Sequence, residues 1–190
     1  MSGDRPSTQE LEAASGVTID DVLAPDLKVL FCGINPGLWS GATGWHFARP
    51  GNRFWPVLHA SGFTPRELAP QEQSELLGLG LGITNLVARA SAKAAELSEE
   101  ELQAGAQALT AKVQRYRPRW VAIVGITAYR AAFGAKRATF GKQDRTIGDA
   151  GVWVLPNPSG LNAHWSAGTL AAEFGQLRQA VMAGDECRCG

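Results

Sequence analysis

Asn35, Asn85, Asn157 and Asn162 are the side chains of this sequence best placed to bind and orient a polar ligand. Each falls at or just beyond the carboxyl end of a run that reads as a β-strand, and in an α/β sheet ligands collect at that edge. Asn35 has the sharpest context. The apolar run Leu27 to Gly33 has strand length and stops at the turn Ile34-Asn35-Pro36-Gly37. Gly33 and Gly37 let the backbone come close to a ligand, Pro36 stiffens the turn, and Asn35 brings an amide that can donate and accept. The turn is therefore expected to aim Asn35 at a ligand and a water.

The usual catalytic sets are missing. There is no G-x-S-x-G elbow, no Walker phosphate loop and no H-E-x-x-H pair. Gly78-Leu79-Gly80-Leu81-Gly82 precedes a strand instead of following one, so it is no dinucleotide fingerprint. His46, His59 and His164 are scattered, and His59 falls on an expected helix. No carboxylate lies between Asp26 and Glu67 or between Glu75 and Glu96, which leaves a two-carboxylate mechanism without material. Of three cysteines, Cys32 lies in an expected buried strand, while Cys187 and Cys189 close the chain without a companion histidine. Two thiolates make a poor metal site, so neither metal nor cofactor is expected. What the loops offer instead is amides, backbone groups, aromatic rings and an apolar tip. Phe47 stands beside Arg49, and Pro156 to Asn162 raises Leu161 on a turn stiffened by two prolines. An apolar wedge on a basic surface suits a gap in unstacked DNA. Packing into the core is the alternative for both Phe47 and Leu161.

The formal net charge is zero, yet charge is unevenly distributed. Residues 1–26 hold six acids and one base, residues 27–66 four bases and no acid, and residues 111–145 nine bases against Asp144. Two basic tracts could build one positive face on a neutral molecule; a solvated helix surface is the other reading. The polar opening segment has no apolar core of a secretion signal and no run approaches a membrane span, so a cytoplasmic protein is expected.

The elements that must position these residues alternate. Strands are expected at Leu27–Gly33, Leu81–Val87, Trp120–Gly125 and Val152–Leu155, with Phe140–Ile147 irregular or a small edge strand. Helices are expected at Thr18–Val22, Asn52–Ser61, Gln71–Leu77, Ser98–Tyr116, Thr127–Phe133 and Ser166–Met182. Ser98 and Glu101 form a capping box. Ile34 to Gly51 reads as a long functional loop. This alternation predicts a three-layer α/β/α sandwich with a mostly parallel central sheet of about four to five strands. Residues 1–16 are expected to be a disordered tail, 17–182 one domain and 183–190 a flexible end.

Gly33-Ile34-Asn35-Pro36-Gly37 and Asn157-Pro158-Ser159-Gly160-Leu161 resemble the two motifs of the mismatch-specific uracil (and thymine) DNA glycosylases, within the uracil-DNA glycosylase superfamily. Gly44 to Trp55, Gly82 to Val87 with Arg89, and Gly141-Lys142-Gln143 are similar to it as well, and the match runs in order from about Val22 to Leu177. The resemblance implies a monofunctional, cofactor-free, monomeric enzyme. It would flip a base from double-stranded DNA with a G·U or G·T mismatch and cut its N-glycosidic bond with water. Such a protein would be nucleoid-associated in a bacterium. Carried over by position, Asn35 would hold the water, Phe47 would stack on the base, and Ile34, Gly37 and Asn157 would contact it. Gly160, Leu161 and Asn162 would form the wedge facing the opposite strand. Ser40, Arg49, Asn85, Arg89 and Lys93 are further candidates for contacts to DNA or near the site; for Lys93 an exposed surface lysine is the alternative. Asn162 and Ala163 stand where some relatives carry serine and a basic residue. The alternatives are a broad-specificity uracil-DNA glycosylase that also takes single strands, and a catalytically silent mismatch binder.

Overall fold

A computed structural model describes residues 5–186. Five strands form its sheet: β1 (Val29–Gly33), β2 (Leu81–Asn85), β3 (Trp120–Val124), β4 (Gly141–Ile147) and β5 (Ala150–Leu155). Their order is β2-β1-β3-β5-β4, with β4 antiparallel on one edge and the other neighbours parallel. All five residues of β1 and of β2 are buried, as parallel strands covered on both faces must be.

Alternation along the strands sorts side chains to two cores. Val29 and Phe31 of β1, Ala122 and Val124 of β3, and Trp153 and Leu155 of β5 face one layer, built from α3 (Phe54–Ala60), α6 (Ala167–Glu186) and a 3-10 segment, Pro70–Leu79. Phe31 anchors it, edge-on to Phe54 at 5.5 Å and to Phe63 at 5.4 Å and stacked on Phe174 at 6.1 Å. Leu30, Cys32, Val121, Ile123, Val152 and Val154 face the opposite layer with α4 (Glu99–Tyr116) and α5 (Ile126–Phe133). Burying one such large side chain contributes about 1.5–3 kcal/mol. The result is the expected three-layer sandwich.

Several local expectations are corrected. Thr18–Val22 is extended, not helical: Val22 exchanges backbone hydrogen bonds of 2.8 and 2.9 Å with Ile83, and Thr18 bridges to Arg89. β2 is an edge strand, and its unpaired backbone groups outweigh the capping preference of Thr18. Residues 1–16 are not a disordered tail throughout, since Ser7 and Glu10 close a capping box on α1 (Thr8–Ala13) and Ala14 is buried. The long loop after β1 contains α2 (Leu38–Thr43), which packs against α1. At the other end α6 continues past Met182 to Glu186, while Cys187 and Cys189 lie outside the described residues. The single positive face also fails in part. Arg115, Arg117 and Arg119 sit at the amino end of β3, away from the edge where ligands collect, and Lys112 and Arg117 pair with Asp21 and Asp26 at 2.6 and 3.3 Å. No helix of the described residues is long and apolar enough to cross a membrane.

Two helical glycines separate packing from propensity. A Cβ on Gly105 of α4 would stand 2.4 Å from the Leu86 carbonyl oxygen, whereas one on Gly175 of α6 would meet nothing within 4 Å. Gly175→Ala is expected to raise stability by up to ~1 kcal/mol. Gly105→Ala is expected to lower it despite the same gain in propensity. Urea unfolding of both variants checks the opposite signs.

Candidate active site

A cavity of about 470 Å³ opens where β1, β2, β3 and β5 end. Its wall brings together most of the residues singled out in the sequence: Ile34, Asn35, Gly37 and Ser40 after β1, Phe47 and Arg49 beyond α2, Asn85 and Lys93 from β2 onward, and Asn157 and Leu161 after β5. No carboxylate of the described residues lines it.

Asn35 is clamped. Its Nδ2 lies within donor distance of the Ser91 Oγ (2.8 Å), the Arg89 carbonyl (3.0 Å) and the Pro36 carbonyl (3.1 Å). Three acceptors around one atom identify it as the nitrogen and fix the amide plane. The Ser91 hydroxyl donates onward to the Lys93 carbonyl at 2.8 Å, leaving its oxygen as acceptor toward Asn35. Both amide hydrogens are thus spent on protein. The atom left for a ligand is Oδ1, a pure acceptor.

A ring and a second amide stand beside it. Phe47 adopts φ +53, a left-handed conformation costly for a bulky residue. Its loop is tied down by the Ala48 N–H donating to the buried Ser40 Oγ at 3.4 Å and the Trp55 indole donating to the His46 carbonyl at 3.1 Å. One face of the Phe47 ring stacks on Phe54 at 4.0 Å and 18°. The ring also lines the cavity, so Phe47 is both core and wall. Asn85 is held by His46. The imidazole Nε2 lies 2.9 Å from the Asp20 carbonyl, which can only accept, so Nε2 carries the proton and Nδ1 accepts from Asn85 Nδ2 at 3.3 Å. Burial lowers the His46 pKa, with the Asp20 carbonyl opposing, which favours the uncharged ring. Asn85 Oδ1 then lies over Gly33, 2.4 Å from where a Cβ would be. Only glycine fits there.

The loop after β5 is a closed turn. Asn157 Oδ1 accepts from the Ser159 N–H at 2.9 Å, and Asn162 Nδ2 donates to the Asn157 carbonyl at 3.2 Å. This uses the Asn157 oxygen and leaves its NH2 available at the cavity it lines, while Asn162, absent from that wall, serves the turn. Leu161 is 73% exposed, so it is not a buried loop leucine. A Cβ on Gly160 would stand 2.4 Å from the Gly51 carbonyl oxygen, so the turn rests directly on the first loop. Arg53 spans beneath it, donating to the Trp165, Ser159 and Asn162 carbonyls. Its Nε is buried without a partner, which costs about 1–3 kcal/mol.

The basic candidates divide. Arg49 and Lys93 are exposed on the rim. Arg89 is not in the wall. Its guanidinium is held by Glu101 at 2.6 and 3.0 Å, and its contribution to the site is the carbonyl that accepts from Asn35. His46, Ser91 and Arg53 escaped selection from sequence. His46 and Arg53 lie inside the Gly44 to Trp55 block, whose length already signalled a functional loop. Their partners Asp20 and Trp165 are too distant in the chain for spacing to show. Among the described residues no three His, Cys, Asp or Glu side chains gather in a way that could hold a metal ion.

The sequence model of the uracil DNA glycosylase superfamily matches residues 21–181, and the chain belongs to that superfamily. Its chemistry is hydrolysis of the bond between a base and its sugar in DNA. Among solved structures, the chain is similar to the solution NMR structure of a candidate uracil DNA glycosylase from Methanosarcina acetivorans. The TM-score is 0.56 at 21% identity, covering 86% of this chain and 98% of that one, a likeness that shows the shared fold.

The histidine geometry is open to direct test. A ring-nitrogen NMR titration is expected to find His46 unprotonated at Nδ1 and protonated at Nε2, and to titrate below the ordinary value of 6.5. An imidazolium at that pH contradicts the arrangement.

Proposed function

We propose that the protein is a monofunctional uracil-DNA glycosylase specific for G·U and G·T mismatches, which flips the target base into the cavity and hydrolyses its glycosidic bond. The observation that carries this reading is the clamped Asn35, whose Oδ1 is left as an acceptor in the wall of a cavity that no carboxylate of the described residues lines. Water hydrogen-bonded to Oδ1 has its lone pair directed away from Asn35, toward the sugar carbon. The C1′–N1 bond breaks with its electron pair going to the base, the water oxygen bonds C1′, and the water's proton is released to solvent or the departing base.

An amide is too weak a base to take that proton early, so the reaction depends on the leaving group. Uracil bears negative charge on its two carbonyls, and donors aimed at them stabilise the transition state. Asn157 brings its NH2 and the turn at Ile34 and Gly37 its backbone. Asn85, oriented by His46, reads the polar edge, and the free face of Phe47 stacks on the ring. Both His46 ring nitrogens are engaged, by the Asp20 carbonyl and by Asn85, so the imidazole passes no proton to the base.

Duplex selectivity follows from the wedge. Extruding a base costs a few kcal/mol and least at a mismatch. Leu161, exposed on a rigid turn, fills the vacated stack, and Gly160 with Asn162 lies against the opposite guanine. Arg49 and Lys93 on the rim meet phosphates. The protein acts as a monomer on double-stranded DNA.

Alkali cleavage of G·U, A·U, G·T and single-stranded U oligonucleotides tests the reading. G·U is expected to be cut fastest, slowly in absolute terms, with A·U and single strands well behind. Equal rates on single strands would favour a broad-specificity enzyme, and absence of abasic product on every substrate leaves only a binder. Leu161→Ala is expected to lower G·U excision about tenfold, roughly 1.4 kcal/mol, with little change in thermal stability.

A further inference from the structure

Leu161 has almost no packing of its own, so something else must hold the wedge in shape. Arg53 is that group by geometry. Its Nη2 donates to the Ser159 carbonyl at 2.8 Å and the Asn162 carbonyl at 2.9 Å, and its Nη1 donates to the Trp165 carbonyl. Its backbone N–H donates to the Pro158 carbonyl at 3.0 Å. These anchors bracket Leu161 from both sides. No carboxylate of the described residues pairs with Arg53, so its fork is committed to loop carbonyls. Arg53 also precedes Phe54, the ring on which Phe47 stacks. One residue therefore registers the leucine tip against the ring at the cavity wall.

We propose that Arg53 is the positioning residue of the wedge: it sets the height and direction of Leu161 relative to the cavity without touching the base. The inference rests on reading Leu161 as a wedge. It requires the planar guanidinium, because three diverging carbonyls match a rigid fork and not the single point charge of lysine.

Four variants test it: Arg53→Met, Arg53→Lys, Leu161→Ala and the double Arg53→Met/Leu161→Ala. Single-turnover excision from a G·U duplex is expected to fall about tenfold in both Arg53 variants, and the double variant to be no slower than Leu161→Ala by more than about twofold. Such non-additivity belongs to residues acting through one another. Hydrogen exchange of residues 159–165 is expected to quicken in Arg53→Met, with the exchange of β1 and α3 unchanged. Full activity of Arg53→Lys, losses that multiply in the double variant, or unaltered exchange of the loop would each overturn the proposal. Failure of the unsubstituted protein to excise uracil refutes the glycosylase reading instead, and the exchange measurement still decides whether Arg53 holds the loop.

Discussion

The site depends on one side chain having no freedom. Asn35 could present either end of its amide to a ligand, and a rotation about one bond exchanges donor for acceptor. Ser91, Arg89 and Pro36 remove that choice by surrounding the nitrogen with oxygen at 2.8 to 3.1 Å. The clamp exists only because two loops run side by side. β1 and β2 pair in register from Val29 and Leu81 to Gly33 and Asn85, and the pairing continues past the strands as the Leu86 and Val87 N–H groups donate to the Gly33 and Ile34 carbonyls at 2.9 Å. The Ser91 N–H then donates to the Pro36 carbonyl at 3.1 Å. Sheet register thereby becomes amide orientation.

The same logic governs the rest of the cavity. The Asp20 carbonyl fixes the His46 tautomer, which fixes Asn85, and Gly33 leaves room for the result. Buried polar groups are tolerable here because each hydrogen bond determines the next and few atoms are left over. At the cavity the ends left without a protein partner are informative: Asn35 and Asn157 both line the wall, and a ligand can complete the Asn35 Oδ1 and the Asn157 NH2. Among the described residues the wall offers donors, acceptors and a ring but no carboxylate, an arrangement suited to a substrate whose own leaving group takes the charge.

Much of this was legible in the sequence. Apolar runs bounded by glycine and proline located the strands, and the two Asn-Pro motifs marked the edge on which the site stands. The capping box of Ser98 and Glu101 and the stop at Pro118 bounded α4 within a residue. The failures share a cause. Thr18 and Asp20 resemble a helix start, but the open edge of β2 pulled that segment straight. Arg89 and Arg117 read as cations free to meet DNA until Glu101 and Asp26 arrived from distant positions. His46 looked isolated because its partner is a backbone carbonyl 26 residues away. Local chemistry can be read along the chain; compensation by tertiary partners cannot.

In the proposed reaction Asn35 holds the attacking water through its free oxygen. Single-turnover excision of uracil from a G·U duplex by Asn35→Ala tests it most directly, with thermal unfolding as the control for an intact fold. A loss of at least about a hundredfold, roughly 2.7 kcal/mol, is predicted. Excision at the parent rate by a folded Asn35→Ala protein would contradict that role.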